Sequence, residues 1–165
     1  MCDELSFERQ KDLLIGEGSA RRVYGMKKNK ELVIKELKTK EQIDSKDNSN
    51  KQEWEVWNKI RNWQRDSALF GKCERISDSG RYLVMERLND LTATDKIPST
   101  PVWLTDRKRE NFGKTQDGQI KVRDYGQLDI SKVRENSPCH PLLSQEQSAR
   151  TKALIVKLRE LESPE

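Results

Sequence analysis

The chain has 165 residues, 32 of them basic and 28 acidic, for a formal charge of +4, and only 33% of it is hydrophobic while 36% is charged. This allows one domain with a lean core under a salt-rich surface. The near balance of signs argues against the one-sided basic face of a dedicated nucleic-acid binder, no apolar run approaches the roughly 18 residues of a membrane span, and the start MCDELSFERQ is too polar for a secretory signal.

In chain order, residues 1–11 read as a polar N-terminal tail. Residues 12–15 form a short apolar run ending in Gly16-Glu17-Gly18-Ser19. Val23-Tyr24 and residues 32–34 follow as β-rich runs, divided by Gly25 and a turn at 27–30, which predicts three antiparallel strands. Residues 38–50 are charged, and Asp47-Asn48-Ser49-Asn50 offers N-cap residues ahead of the helical stretch KQEWEVWNKIRNW. Val56, Ile60 and Trp63 recur at i, i+4 and i+7 with Trp57 alongside, so this helix has one apolar face. Leu69-Phe70, Cys73 and Ile76, a turn at Asp78-Ser79-Gly80 and the run Tyr82-Leu83-Val84-Met85 predict a hairpin that brings the strands to five.

Residues 89–101 are a polar connector without a period, read as a linker between two subregions. Phe112 and residues 120–122 flank Asp117-Gly118 as a small hairpin. The stretch from Gln127 to Leu143 is irregular. Ser144 and Gln147 form a capping box, and Leu154, Leu158 and Leu161 mark a last amphipathic helix.

Several side chains could carry chemistry. Gly16-x-Gly18 between strands lets backbone amides approach phosphate oxygens, and the same pattern serves a tight hairpin that needs positive φ. Lys35 ends the third predicted strand, where a lysine can equally reach solvent. Glu53 stands three, four and seven positions before Val56, Trp57 and Ile60, which places a carboxylate on the apolar face. There it needs a cation, and Lys35 is the natural one. Glu55 aligns with Lys59 and Asn62 on the solvated side. Finally, Asp106-x-Lys108-x-x-Asn111 precedes Asp124-Tyr125-Gly126, with thirteen positions from Asn111 to Asp124.

In this order, Gly16-x-Gly18 with Val23, Val33-Ile34-Lys35, Glu53, Asp106-x-Lys108-x-x-Asn111 and Asp124-Tyr125-Gly126 resemble five elements of protein kinases. These are the glycine-rich loop, the strand lysine, the helix glutamate, the catalytic loop and the metal-binding element. The resemblance covers roughly residues 12–126. It implies that Lys35 holds nucleotide phosphates, that Glu53 orients Lys35, and that Gly16, Gly18, Val23, Glu86 and Leu88 complete an ATP site. It also implies that Asp106 accepts a hydroxyl proton, that Lys108 sits by the transferred phosphate, and that Asn111 and Asp124 hold Mg²⁺. The expected fold is α+β: an N-lobe over 12–88 with a five-stranded antiparallel sheet and one helix, a linker over 89–101, catalytic and metal-binding loops over 102–126, and a reduced C-lobe tail with its C-terminal helix over 127–165. The implied activity is phosphoryl transfer from Mg-ATP to a Ser/Thr hydroxyl of a protein or of the chain itself, and the alternative is a non-catalytic interaction module of the same shape.

Departures from the family narrow these expectations. Arg21 stands where the third glycine belongs. Leu104-Thr105 replaces the His-Arg before the catalytic aspartate, which argues against control by activation-loop phosphorylation. Seventeen residues separate Leu88 from Asp106 and thirty-nine follow Gly126, so the expected C-lobe is pared down, as in kinase-like bacterial effectors and phage products. A protein substrate or regulatory partner, including a host protein, is the expected partner, not nucleic acid or membrane. Cys2, Cys73 and Cys139 are odd in number and scattered, which suits a reducing compartment, so a cytoplasmic location is expected, in a host cell for an effector. Cys139-His140 reads as plain loop and not as a metal site. The tryptophans at 54, 57, 63 and 103 read as packing residues.

Overall fold

The computed structural model describes residues 4–140, so the expected C-terminal helix lies outside the described residues. Five strands form one antiparallel sheet in the order β1-β2-β3-β5-β4: β1 (Lys11–Glu17), β2 (Arg21–Met26), β3 (Leu32–Leu37), β4 (Cys73–Ile76) and β5 (Tyr82–Glu86). A second, two-stranded antiparallel sheet pairs β6 (Phe112–Lys114) with β7 (Ile120–Val122). The fold is thus mixed α+β, built on the five-stranded sheet that the apolar runs predict. The turns at Gly80 and Gly118 hold these residues at φ of +79° and +91°, the left-handed region that glycine reaches without strain.

Alternation along β3 gives the sheet two cores. Val33 turns to one face, with Val56, Trp57 and Ile60 of helix α3 (Ser49–Ile60), and this core continues through Phe70, Trp103, Phe112, Val122 and Tyr125. Ile34 turns to the other face and joins Phe7, Met26, Tyr82 and Val84. Trp57 and Trp103 are buried, and Trp54 and Trp63 pack partly buried against the first core, so the tryptophans serve packing. Asn48 caps α3 by accepting from the Lys51 N–H at 3.0 Å.

Three helices were not anticipated. Residues 4–10, expected as tail, form α1 (Glu4–Gln10), because Phe7 stacks on Tyr82 with ring centroids 5.4 Å apart and closes the second core. Helix α2 (Lys40–Asp44) forms on a capping box in which Thr39 accepts from the Gln42 N–H and the Gln42 side chain accepts from the Thr39 N–H. Helix α4 (Gln64–Leu69) takes up Leu69, so the hairpin strand starts only at Cys73. The helix expected through Trp63 ends at Ile60, where Trp63 turns to open α4.

Residues 89–101 contain no regular strand or helix. Residues 127–140 wrap back beneath the sheet: Leu128 and Val133 enter the first core, Lys59 donates to the Ile130 carbonyl, and His140 donates from its backbone to the Thr100 carbonyl. No helix among the described residues is long and apolar enough to cross a membrane.

Candidate functional site

The site starts from the register of the large sheet. Val23 lies opposite Lys35, and Arg21 is two residues before Val23, so all three side chains emerge on the face that also receives α3. Glu53, inward on α3 as its spacing predicts, is completely buried. Lys35 Nζ bonds both its oxygens, at 2.9 and 3.0 Å, and also the Arg123 carbonyl at 2.6 Å. Arg21 reaches the same carboxylate at 2.9 and 3.3 Å, and the Tyr125 N–H donates to it at 3.0 Å. One carboxylate therefore ties β2, β3, α3 and the segment after β7 together.

The small hairpin explains the thirteen-residue spacing. Phe112 pairs with Val122, so one step outward Asn111 stands beside the residues leading to Asp124. The Asn111 carbonyl accepts from the Arg123 and Asp124 amides at 2.7 and 3.3 Å. Asn111 Nδ2 in turn donates to the Asp106 carbonyl at 3.1 Å, which places Asp106 against the same corner. Asp106 and Lys108 face each other at 3.4 Å, with Lys108 73% exposed.

A cleft of about 510 Å³ opens over this arrangement. Gly18, Val23, Lys35 and Asp124 line it with Asp106, Lys108 and Asn111. Glu53 lies behind Lys35 and not on the surface of the cleft. Gly16 pairs with Val23 outside the lining, and a Cβ there would come no nearer than 3.8 Å to any atom. The glycines do stand at a tight β1–β2 hairpin, closed by the Gly18 N–H donating to the Arg21 carbonyl at 2.9 Å, but neither has positive φ, so the turn does not need glycine for its backbone conformation. Glu86 and Leu88 are not brought into this cleft. Glu86 pairs with Lys121 at 2.9 Å on a separate groove, and Leu88 is buried against Gly71 and Gly113.

Arg21 was not among the expected site residues. Its guanidinium bonds Asp124 Oδ1 at 2.7 Å and Asn50 Oδ1 at 3.2 Å in addition to Glu53. Alternation from Val23 was the available signal, since it puts a cation on the face of Lys35. Its partners lie 29, 32 and 103 positions away in the chain.

Charge in this cluster is strongly coupled. For Arg21, burial works against the charged form but is outweighed by Glu53 and then Asp124, which hold its pKa above the ordinary value. Burial and then the Arg21 charge lower the pKa of Lys35, against the opposing pull of Glu53 and Asp124. Burial would raise Asp124, but Lys35 and then Arg21 overcome it and bring its pKa down to about 2. Burial and then Glu53 push the Cys73 thiol up to about 12, which leaves it inert as a nucleophile.

Two oxygen donors of the kind a hard cation takes stand in the cleft. Asp124 and Asn111 supply a carboxylate and an amide oxygen on one wall of the cleft. No group of three His, Cys, Asp or Glu side chains able to hold a metal exists among the described residues. Mg²⁺ suits such a wall, because it keeps its waters and takes one or two carboxylates plus phosphate oxygens. Neither a protein-family model nor a curated protein matches the chain.

Proposed function

We propose that the cleft binds Mg-ATP and transfers the γ-phosphate to a Ser/Thr hydroxyl, of a partner protein or of the chain itself, on a protein-kinase-like scaffold. The observation that carries this reading is the buried Lys35–Glu53 pair, at 2.9 Å, facing a cleft that Asp106, Asn111 and Asp124 also line. The sheet order β1-β2-β3-β5-β4, with α3 delivering the glutamate, supports the comparison with a kinase N-lobe.

The chain's own residues divide the work. Lys35, held by Glu53, presents a fixed ammonium to the phosphates, and Val23 and Gly18 roof the nucleotide. Asp106 takes the proton of the acceptor hydroxyl as its oxygen forms a bond to the γ-phosphorus and the bond to the ADP oxygen breaks. Lys108 stands beside the transferred group, where its charge offsets that of the phosphoryl oxygens. Asn111 and Asp124 would hold Mg²⁺, which when bound neutralises phosphate charge and polarises the phosphoryl oxygens.

Thermal unfolding with and without Mg-ATP tests the reading. A ligand bound only by the folded chain at a hundredfold excess over Kd stabilises it by about 2.7 kcal/mol, which for a domain of this size is roughly 5–10 °C in Tm. Lys35→Met should cut the shift. A wild-type melting curve unmoved by saturating Mg-ATP would refute the nucleotide site, and binding without transfer to any protein hydroxyl would leave a nucleotide-responsive interaction module.

A further inference from the structure

Arg21 has no task in the reaction proposed for the cleft, yet it is anchored there by three side chains. It is buried, it lines the cleft, and its two terminal nitrogens are shared among Glu53, Asn50 and Asp124. The two ends of this arrangement differ. The Glu53 end is sealed, with no exposure, whereas the Asp124 side chain is 46% exposed toward the cleft. A guanidinium is planar and forked, so it can keep the buried partner while exchanging the exposed one, and phosphate oxygens suit the same fork.

Charge counting gives this a consequence. Arg21 and Lys35 against Glu53 and Asp124 form a group of four with no net charge. Without Arg21 the group would be negative beside the place where a polyphosphate must sit, and a cation would have to be added before the anion could enter. Arg21 already neutralises the carboxylate at which a divalent ion would do so.

We infer that Arg21 is a resident phosphate-binding cation of the cleft that trades Asp124 for a phosphate oxygen, so that a nucleoside triphosphate binds here with little dependence on divalent metal. This inference rests on the proposed nucleotide site. It concerns binding, and leaves transfer to the groups at Asp106 and Asn111.

Calorimetric titration of ATP into the wild type, Arg21→Ala, Arg21→Lys and Asp124→Asn, each in EDTA and in excess Mg²⁺, tests it. The wild type should bind ATP in EDTA within about tenfold of its affinity in Mg²⁺. Arg21→Ala should lose about 10- to 100-fold in EDTA, the scale of one hydrogen bond to a charged group, and recover most of it with Mg²⁺. Asp124→Asn should bind at least as tightly as wild type in EDTA, because it keeps the guanidinium and replaces a competing carboxylate with a neutral amide. Arg21→Lys, which keeps the charge and lacks the fork, should fall between wild type and Arg21→Ala, and with Asp124→Asn it decides the matter if Arg21→Ala does not fold. Wild-type binding that appears only with Mg²⁺, or equal binding in EDTA by wild type and Arg21→Ala, overturns the role of Arg21 and spares the nucleotide site. Absence of ATP binding by folded wild type under both conditions overturns both.

Discussion

Glu53→Ala is the sharpest test of how this site is held together. The carboxylate is wholly buried and accepts from Lys35, Arg21 and the Tyr125 amide, while Lys35 and Arg21 are themselves 6% and 9% exposed. Its removal leaves two buried cations with Asp124 as their one bonded anion: Arg21 keeps Asp124 and the neutral Asn50 oxygen, and Lys35 keeps only the Arg123 carbonyl. Breaking a buried pair from one side costs about 3–5 kcal/mol, or roughly 6–20 °C in Tm for a domain of this size. Glu55, two residues away and exposed, should tolerate alanine within about 0.5 kcal/mol. Lys35→Met should cost less than Glu53→Ala, since Glu53 would keep Arg21 and the Tyr125 amide. Glu53→Gln should also cost less, because it retains an acceptor for that amide. Reversible urea unfolding followed by tryptophan fluorescence reads all four variants. Equal midpoints for Glu53→Ala and Glu55→Ala would refute the reasoning, and a larger loss from Lys35→Met would show that Glu53 is not the hub.

Asp106→Asn should leave ATP affinity nearly intact and lower phosphoryl transfer by about 10²- to 10⁴-fold, the usual effect of losing a general base; parallel loss of both in titration and radiolabel assays would count against its role. Asp124 has a folded pKa of about 2 against an ordinary 3.8. Its contribution to stability is therefore present above pH 4 and lost as pH falls toward 2, and Asp124→Asn should flatten that part of the acid unfolding profile; an unchanged acid limb would contradict the assignment. Phe7→Ala should destabilise by about 3–5 kcal/mol, as expected for a fully buried aromatic, whereas a dispensable tail would show no change in urea midpoint.

Local signals accounted for much of this arrangement, and long-range partners for what they missed. The Glu53 register could be read because Val56, Trp57 and Ile60 fix the buried face of one helix. The Asn111 to Asp124 spacing could be read because a hairpin with Asp117-Gly118 at its turn brings its two ends together. Helix α1 could not, because it buries one apolar side chain, Phe7, and the reason for its burial is Tyr82, seventy-five positions on. Helix α4 is short and polar and has no side-chain cap. Its Asp66 is nevertheless buried and paired with Arg65, a contact that no periodicity announces. Arg21 marked a missing glycine in the sequence, and only the sheet register and the return of Asp124 gave it a place.

Tyr125 follows Asp124 and faces the opposite way. Its hydroxyl donates to the Gly71 carbonyl at 2.8 Å and lies 3.1 Å from Cys73 Sγ, and its ring meets Phe70 edge-on with centroids 5.2 Å apart. Next to it, Gly126 packs so closely on Ser49 that a Cβ would come within 2.6 Å of the Ser49 carbonyl oxygen. The backbone that carries Asp124 is thus bolted to the start of β4 and to the first turn of α3. Swinging it outward would empty the main core of an aromatic ring, leave the Tyr125 hydroxyl and amide in search of partners and take one donor from Glu53. The cleft therefore comes ready-made with the fold: the wall that bears Asp124 lasts as long as the core beneath it and is lost only when that core opens.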